Sequence, residues 1–314
     1  MIFYLVTKNH AYTITRYLKS WGTTLAPRLK PVFYEQLKGL RALGPGTYIF
    51  SDIERLAPKQ AERFAQLWQQ NTNVGKGIRL LNHPTLSMKR YELLRTMYEQ
   101  GWNQFNVYRP TECSRPERFP VFLRRENDHS GSLTPLLQTP EALDKAIAEL
   151  SQRGQSRKEN PIKAITRLFK LCRSQENILI TEFCDTSDKQ RIFRKYSAFI
   201  VADRIIPQHI LFSLDWMLKS NARLLDEVTP REEQKYLETN PHESQLRKIF
   251  RLSRIEYGRI DYSININGHL QVWEINTNPT IFRCTNPESP RNVKRRSLRE
   301  YFSKLFQAAL EAID

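Results

Sequence analysis

The chain has 314 residues, of which 40% are hydrophobic and 26% are charged, so its composition excludes intrinsic disorder and allows a large buried core. The formal net charge of +16 is spread along the whole sequence, so it is compatible with nucleic acid, with anionic substrates such as nucleotides and carboxylates, and with a merely solvated surface. No stretch approaches the ~20 apolar residues of a membrane span. The four cysteines show no CxxC spacing, which predicts reduced thiols and a cytoplasmic protein.

The first part of the chain predicts strands that alternate with helices. Apolar runs at 2–6, 46–50 and 78–81 are typical of strands, and the segments 12–19 and 58–70 predict helices. Strands that alternate with helices build parallel sheets, so we expect a small α/β lobe here.

The next part predicts a helix, a basic strand and a polar loop. The helix covers 91–98, and the strand over 119–125 ends in Arg124 and Arg125. Residues 126–132 are polar and turn-forming, so they predict a loop directly after these two cations. Two more helices are predicted at 140–152 and 161–173, with a mobile loop at 152–160 between them.

The last part predicts a strand over 177–183 and a hairpin of strands 194–201 and 204–212. Capping-box patterns that begin at Thr229 and Asn240 predict two helices. An amphipathic helix is predicted near the end, over 298–309.

The stretch 257–279 predicts a second hairpin, on which the functional interpretation depends. Asn267-Gly268 is a strong signal for a two-residue turn. Such a turn would set Ile266 opposite His269 and Tyr262 opposite Trp273. Because side chains alternate along a strand, one face of the hairpin would then be an apolar stripe for the core.

The other face of this hairpin gathers oxygen ligands. The same turn sets Asp261 opposite Glu274, and Asn276 shares their face, with Arg259 as its partner. Two carboxylates that face each other repel in water, whereas a divalent cation between them would reverse the sign of that interaction. Carboxylate and amide oxygens suit Mg²⁺, so the pattern predicts a magnesium site, with a solvated polar face as the alternative.

Four blocks of the sequence, taken in order over about residues 78–282, resemble an ATP-grasp enzyme of the glutathione synthetase and glutamate-ligase type. The blocks are the junction 81–84 with the helix after it, the strand 121–124 with the loop 126–132, the strand 178–183, and the hairpin from 259 to 279.

The resemblance implies an α/β protein with the ATP-grasp fold. Two subdomains with antiparallel sheets would clamp ATP, preceded by a small parallel α/β lobe. The expected division is 1–85 for the N-terminal lobe, 86–180 for the subdomain with the phosphate-covering loop, and 181–314 for the subdomain with the metal-binding hairpin and the terminal helix.

The resemblance also implies the ATP-binding residues. Arg124 stands where the family usually has a lysine, and the loop holds a single glycine where the family's loop is rich in glycine. Glu182 or Asp185 would accept a ribose hydroxyl, and Glu182 is preferred. The implied set is Arg124, Arg125, Ser130, Gly131, Thr181, Glu182 and Phe183.

The reaction that the resemblance implies joins a carboxylate to an amine through an acyl phosphate. Asp261, Glu274 and Asn276 would hold two Mg²⁺ ions, with Mn²⁺ as an alternative, against the ATP phosphates. A cation must also stabilise the oxyanion of the tetrahedral intermediate. Of the cations in cleft-facing segments, Arg194 and Arg283 are preferred over Lys195 and Lys219.

Two other functions stay open at this point. One is a kinase on the same scaffold that transfers phosphate to a hydroxyl, and the other is a non-catalytic basic binder of nucleotide or nucleic acid. The expected substrates are a carboxylate and an amine, either small molecules or peptides, and acidic ones suit the basic charge. The family resemblance is also compatible with a homodimer.

Overall fold

The computed structural model describes residues 1–37, 39–72, 77–112, 115–129, 131–153, 177–218, 228–282, 293 and 295–314. The strands are β1 (Ile2–Val6), β2 (Leu29–Phe33), β3 (Gly46–Phe50), β4 (Ile78–Leu81), β5 (Val107–Tyr108), β6 (Val121–Arg125), β7 (Ile178–Glu182), β8 (Phe193–Val201), β9 (Arg204–Ser213), β10 (Tyr257–Ile264) and β11 (Leu270–Asn276). The α-helices in the described ranges are α1 (Tyr12–Leu18), α2 (Pro58–Asn71), α3 (Arg90–Glu99), α4 (Pro140–Arg153), α5 (Val228–Thr239), α6 (Glu243–Ser253) and α7 (Arg296–Glu311).

The first sheet is parallel, with the strand order β2-β1-β3-β4. This confirms the predicted parallel lobe and its strands at 2–6, 46–50 and 78–81. The sequence pattern missed β2, because Lys30 and Pro31 interrupt its apolar residues. Proline is tolerated there since β2 lies at the edge of the sheet.

The second sheet is antiparallel, with the order β5-β7-β6. It places Arg124 and Arg125 at the end of β6, directly before the polar loop, as predicted. Helix α4 packs on this sheet through Leu143, within a small hydrophobic cluster that includes Leu123 and Ile180. The helix predicted at 161–173 and most of the loop predicted at 152–160 lie outside the described residues.

The third sheet is also antiparallel, with the order β11-β10-β8-β9. Its two hairpins are those that the sequence predicts, and β8 and β10 lie next to each other at the centre. The sheet therefore brings the hairpin of Asp261 and Glu274 beside the strand that carries Lys195.

The turn between β10 and β11 differs from the prediction. Asn265 and His269 close a three-residue loop in which Gly268 has a φ of 80°. Such loops need a left-handed residue at this position, which glycine supplies at no steric cost. The predicted pairs Ile266–His269 and Tyr262–Trp273 are therefore wrong.

The register is nevertheless restored at the acidic residues. Tyr262 pairs with Val272 and Asp261 pairs with Glu274, so Trp273 is an extra residue that forms a β-bulge. Beyond the bulge the predicted pairs, including Arg259 with Asn276, are confirmed.

The first and third sheets are joined by buried contacts. Asn82 follows β4 with a φ of 65°, and its side-chain amide binds the backbone of both Phe50 and Tyr257. Helix α7 inserts Phe302 and Phe306 into a core shared by these two sheets. The mixed α/β architecture, with one parallel and two antiparallel sheets, confirms the predicted fold class.

Candidate active site

A cavity of about 750 Å³ lies between the second and third sheets. Its wall is built by β6 and the loop after it, by residues that follow β7, by β8 to β11, and by the start of α7. The charged and imidazole side chains in this wall are Arg124, His129, Lys195, His209, Glu233, Arg259, Asp261, Glu274, Arg295 and Arg299.

Asp261 is buried and is surrounded by donors from its own sheet. Its Oδ1 accepts hydrogen bonds from Ser197 Oγ at 2.9 Å and from Arg259 Nε at 2.8 Å, and its Oδ2 lies 3.2 Å from Lys195 Nζ. Burial favours the neutral acid, but Arg259 and Lys195 outweigh it and lower the pKa of Asp261 to about 2. The carboxylate is therefore ionised at neutral pH.

Glu274 is kept ionised by cationic partners that come from other elements of the chain. Its Oε2 accepts from Arg124 Nη2 at 2.8 Å and also from Arg90, while its Oε1 lies 3.5 Å from His129 Nδ1. Burial opposes ionisation, yet Arg90 and His129 hold the pKa of Glu274 well below its usual value. Glu274 thus connects the third sheet to α3, β6 and the loop.

The hairpin presents oxygen donors of the kind that bind a divalent cation, and in this structure each carboxylate oxygen contacts a cationic, imidazole or hydroxyl group. Asp261 and Glu274 pair across β10 and β11, and Asn276 lies on the same face and lines the same cavity. The backbone N–H of Asn278 donates to Asn276 Oδ1, and this contact identifies which end of the Asn276 amide is the oxygen. The oxygen donors on this face are two carboxylates and one amide. Within the described ranges no group of three or more His, Cys, Asp or Glu is arranged to hold a metal ion.

Buried nitrogen atoms near Glu274 still lack acceptors. The Nε atoms of Arg90 and Arg124 are buried without a hydrogen-bond partner. Burial and the neighbouring Arg90 lower the pKa of Arg124 to about 10, so it stays charged at neutral pH. Unsatisfied cationic donors of this kind are expected where an anionic ligand binds.

A polar bridge connects this site to the N-terminal lobe. His129 Nε2 lies 3.3 Å from Glu54 Oε1, and Glu54 Oε2 accepts from Thr277 Oγ1 at 2.6 Å. Burial raises the pKa of Glu54, but His129 and Thr277 outweigh it and lower that pKa to about 2. The loop after β6 is therefore held between a glutamate of the first lobe and Glu274.

The other end of the cavity is aromatic. The ring of Trp216 lies 5.0 Å from that of Phe122 and 5.9 Å from that of Phe183, measured between centroids. Trp216 follows β9 of the third sheet, while Phe122 and Phe183 belong to the second sheet and its end. The rings of Phe122 and Phe183 each contact that of Trp216, so the three form an aromatic cluster that joins both sheets at the cavity wall.

The structure brings part of the predicted ATP-binding set to the cavity. Arg124, Gly131 and Phe183 line it. Arg125 is exposed and is not part of the wall, and Thr181 is buried and does not line the cavity. Ser130 lies outside the described residues.

The preferred ribose ligand, Glu182, does not reach the cavity. Its carboxylate accepts from Tyr108 at 3.0 Å, from Arg118 at 2.8 Å and from the backbone N of Asn106 at 3.0 Å. The reason is the alternation of β7, in which Glu182 and its neighbour Phe183 point to opposite sides. Asp185, the other candidate, is bound to Arg191 and Ser187.

The same alternation separates the predicted catalytic residues. Lys195 lines the cavity, whereas Arg194 points away and forms ion pairs with Asp188 and Glu232. The choice of Arg194 over Lys195 therefore selected the wrong face of β8. Arg283 and Lys219 lie outside the described residues.

Several site residues were missed by the sequence reasoning, among them Arg90, Arg259 and His209. Arg90 opens α3 and reaches Glu274, and the only available signal was its position in the block after the junction. Arg259 was assigned only as the partner of Asn276, although its guanidinium binds Asp261 in the cavity wall. His209 gave no signal, because its position depends on an irregularity in β9.

Comparisons with known proteins support the fold. No protein-family model and no curated protein matches the sequence. Among solved structures, a D-alanine–D-alanine ligase from Bacillus anthracis complexed with ATP is 9% identical, with a TM-score of 0.51 over 99% of this chain and 98% of that chain. An L-amino acid ligase from Bacillus licheniformis is 10% identical, with a TM-score of 0.50 over 98% of this chain and 74% of that chain.

A third solved structure, the VanG D-Ala:D-Ser ligase from Enterococcus faecalis, is 11% identical, with a TM-score of 0.50 over 98% of both chains. At these identities the similarity concerns the fold. It extends over nearly the whole chain and includes the arrangement of one parallel and two antiparallel sheets. The chain therefore has the ATP-grasp fold that the four sequence blocks predicted.

Proposed function

We propose that the protein is an ATP- and Mg²⁺-dependent carboxylate–amine ligase that works through an acyl phosphate. The observation that carries this proposal is the pair of buried, ionised carboxylates, Asp261 and Glu274, which face each other in the cavity between two antiparallel sheets. Such a pair is costly unless cations compensate it, and here Arg90 and Arg124 contact Glu274 while Lys195 and Arg259 contact Asp261.

Asp261, Glu274 and Asn276 would hold the metal, as two Mg²⁺ ions or with Mn²⁺ in their place. Bound Mg²⁺ would supply charge neutralisation and orientation for the phosphate oxygens of ATP. Hard oxygen ligands from two carboxylates and one amide, with the remaining positions left to water and phosphate, match the preference of this ion.

The cavity offers separate places for the parts of ATP. The aromatic cluster of Phe122, Phe183 and Trp216 gives the cavity an apolar end against which the flat adenine ring would stack. Arg124 and Lys195 approach the acidic pair from opposite sheets and would bind phosphate oxygens, for which the unpaired Nε of Arg124 is available. His129 and Gly131 place the loop after β6 against the same region.

The reaction needs two steps that these groups can support. First, a substrate carboxylate oxygen attacks the γ-phosphorus of ATP, the bond to the β-phosphate oxygen breaks, and ADP leaves. Then an amine nitrogen attacks the carbonyl carbon of the acyl phosphate, and inorganic phosphate leaves to give an amide. Arg259, fixed beside Asp261, would stabilise the oxyanion of the second step.

The solved structures with this fold support the proposal. All three that are compared above are ligases, and one is complexed with ATP. The surplus of arginine and lysine over carboxylates in the cavity wall suits carboxylate and phosphate substrates. No helix in the described ranges is both long and apolar enough to cross a membrane.

The direct test is a phosphate-release screen with ATP, Mg²⁺ and panels of carboxylates and amino acids. The proposal expects ADP, phosphate and an amide in equal amounts, with no turnover in the presence of a chelator. A stable phosphorylated product with no amide would instead identify a kinase. Mg²⁺-independent binding of nucleic acid, weakened steeply by salt, would identify the third alternative.

A further inference from the structure

Strand β9 contains an irregularity at the wall of the cavity. Ser197 of β8 pairs with His209, but the next residue, Ala198, pairs with Pro207, so Gln208 is an extra residue without a partner. A bulge of this kind turns two consecutive side chains toward one side of a sheet. Both Gln208 and His209 consequently line the cavity.

The contacts of His209 fix the roles of its two ring nitrogens. Ser197 Oγ donates to the ionised Asp261 at 2.9 Å, so its lone pairs remain to accept from His209 Nε2 at 3.2 Å. The proton of the neutral ring is therefore on Nε2, and Nδ1 is an acceptor. Nδ1 has no hydrogen bond that the described part of the chain provides.

His209 is neutral for a clear reason. Burial is the largest cause that lowers the pKa of His209, and the nearby guanidinium groups of Arg259 and Arg295 lower it further. The pKa of His209 therefore lies well below its usual value. Lys195 adds to this effect, and only Asp261 opposes it.

Gln208 presents a second acceptor. Its Nε2 donates to the backbone carbonyl of Ile281 at 2.5 Å, which assigns the two ends of the side-chain amide. Its Oε1 is buried and has no hydrogen-bond partner, although the residue is only 4% exposed. A buried acceptor without a donor is expected where a ligand supplies the missing N–H or O–H group.

These two neutral acceptors contrast with the cationic side chains of the wall. The cationic side chains there, Arg124, Lys195, Arg259, Arg295 and Arg299, have only donor groups, as the phosphates and carboxylate of the proposed substrates require. An amine has the opposite need, because it must be held by acceptors and must lose a proton.

We propose that Gln208 and His209 form the subsite for the amine substrate, and that His209 Nδ1 takes the proton from the amine nitrogen once that nitrogen has bonded to the carbonyl carbon, when it is cationic and acidic enough to protonate a weak base. This inference rests on the proposed ligase function. The amine nitrogen bonds to the carbonyl carbon, its proton moves to Nδ1, and the carbon–oxygen bond to phosphate breaks with the electron pair leaving on phosphate. His209 then returns the proton to water.

The first test needs no substrate. In protein labelled with ¹⁵N at histidine, two-dimensional NMR at pH 7 reports the proton on each ring nitrogen, and His209→Gln identifies the signal. We expect Nε2 to be protonated and Nδ1 to be bare. A proton on Nδ1, in either the other tautomer or the imidazolium, would overturn the assignment.

The second test compares two nucleophiles. With ATP, Mg²⁺ and an acid found by the screen, hydroxylamine traps the acyl phosphate without a base, because it is uncharged and strongly nucleophilic at neutral pH. His209→Gln keeps a donor for Ser197 but replaces the basic Nδ1 by an amide oxygen, which does not take up a proton at neutral pH. We expect amide formation with an amino acid to fall about 100-fold while hydroxamate and ADP formation are retained.

The matched controls separate this role from a structural one. His269→Gln changes an exposed histidine of the β10–β11 loop and should alter neither product. Gln208→Leu should raise the KM for the amine and leave the KM for ATP unchanged. Equal losses of amide and hydroxamate in His209→Gln, or no loss of amide, would overturn the subsite alone. If no acid in the panel makes the wild-type protein form ADP, the ligase function itself would be overturned.

Discussion

Asp261 and Glu274 face each other across one hairpin, yet they are neutralised in different ways. Asp261 is bound by Lys195 of β8 and Arg259 of β10, both within the third sheet. Glu274 is bound by residues that come from α3, β6 and the loop after β6. The charge of Asp261 is therefore compensated within its own sheet, whereas the charge of Glu274 is compensated only while the second and third sheets are in contact.

The exposure of their partners shows which carboxylate matters more for stability. The side chains of Arg90 and Arg124 are 3% and 10% exposed, whereas those of Lys195 and Arg259 are 22% and 16% exposed. A buried arginine cannot turn to water when its carboxylate is removed, whereas a partly exposed cation can. The substitutions below test this difference, beginning with the largest expected effect.

Glu274→Gln should abolish Mg²⁺-dependent ATP turnover and lower the free energy of unfolding by about 3–5 kcal/mol, because two buried arginines lose their counter-charge. Phosphate release and denaturant unfolding measure the two effects. Glu99→Gln, which removes a surface ion pair with Arg95, is the matched control and should change stability by less than about 1 kcal/mol. A Glu274→Gln protein as stable as the wild type would contradict the proposed difference.

Asp261→Asn should also abolish turnover, but with a smaller loss of stability, about 1–3 kcal/mol, because Lys195 and Arg259 can reach water. The same two measurements apply. If Asp261→Asn destabilises the protein as much as Glu274→Gln does, the two carboxylates are equivalent and the comparison fails.

Glu54→Gln should change how the free energy of unfolding depends on pH in acid, because Glu54 is part of the bridge through His129 to Glu274. The pKa of Glu54 in the folded protein is about 2, below its ordinary value of 4.5. Its stabilisation is therefore complete above about pH 4.5 and is lost as the pH falls toward about 2. We expect the variant to lack a contribution on the order of 3 kcal/mol at neutral pH and to show a shallower decline in acid.

Unfolding by denaturant at several pH values between 2 and 7 measures this decline. Glu62→Gln, on the exposed face of α2, is the control and should keep the wild-type slope. An unchanged slope for Glu54→Gln would show that its contact with His129 does not hold the lobes together.

Lys195→Ala and Arg194→Ala compare the two faces of β8. The lysine lines the cavity beside Asp261, so its loss should reduce turnover or raise the KM for ATP about tenfold, the effect of roughly 1.4 kcal/mol of lost binding. The arginine points away, so its loss should leave turnover unchanged and cost at most about 1 kcal/mol of stability. The reverse result would restore the choice made from sequence.

The hairpin shows how much of the site the sequence could specify. The pairing of Asp261 with Glu274 was predicted correctly, although the turn was not. A three-residue loop in place of two shifts the register by one, and the bulge at Trp273 shifts it back. The glycine signal located the turn, but turn length and bulges depend on packing that the local sequence does not encode.

The remaining site residues depend on strand phase and on distant contacts. A shift of one residue along β7 or β8 exchanges Glu182 for Phe183, or Arg194 for Lys195, and no local pattern distinguished the two faces. The contact of Arg90 with Glu274 joins positions 184 residues apart, and only the folded chain brings them together. The fold, by contrast, was predictable because its signals are many and are distributed along the chain.

The separate hydrophobic cluster of the second sheet has a consequence for motion. Leu123, Ile180 and Leu143 pack with one another, apart from the core that α7 shares with the first and third sheets. An outward movement of β6 and β7 with α4 would therefore leave that shared core intact and would break the ion pairs of Glu274 with Arg124 and His129, together with the ring contacts of Trp216. We expect amide hydrogens in β6 and β7 to exchange before those of β8 and β10, and nucleotide to slow that exchange.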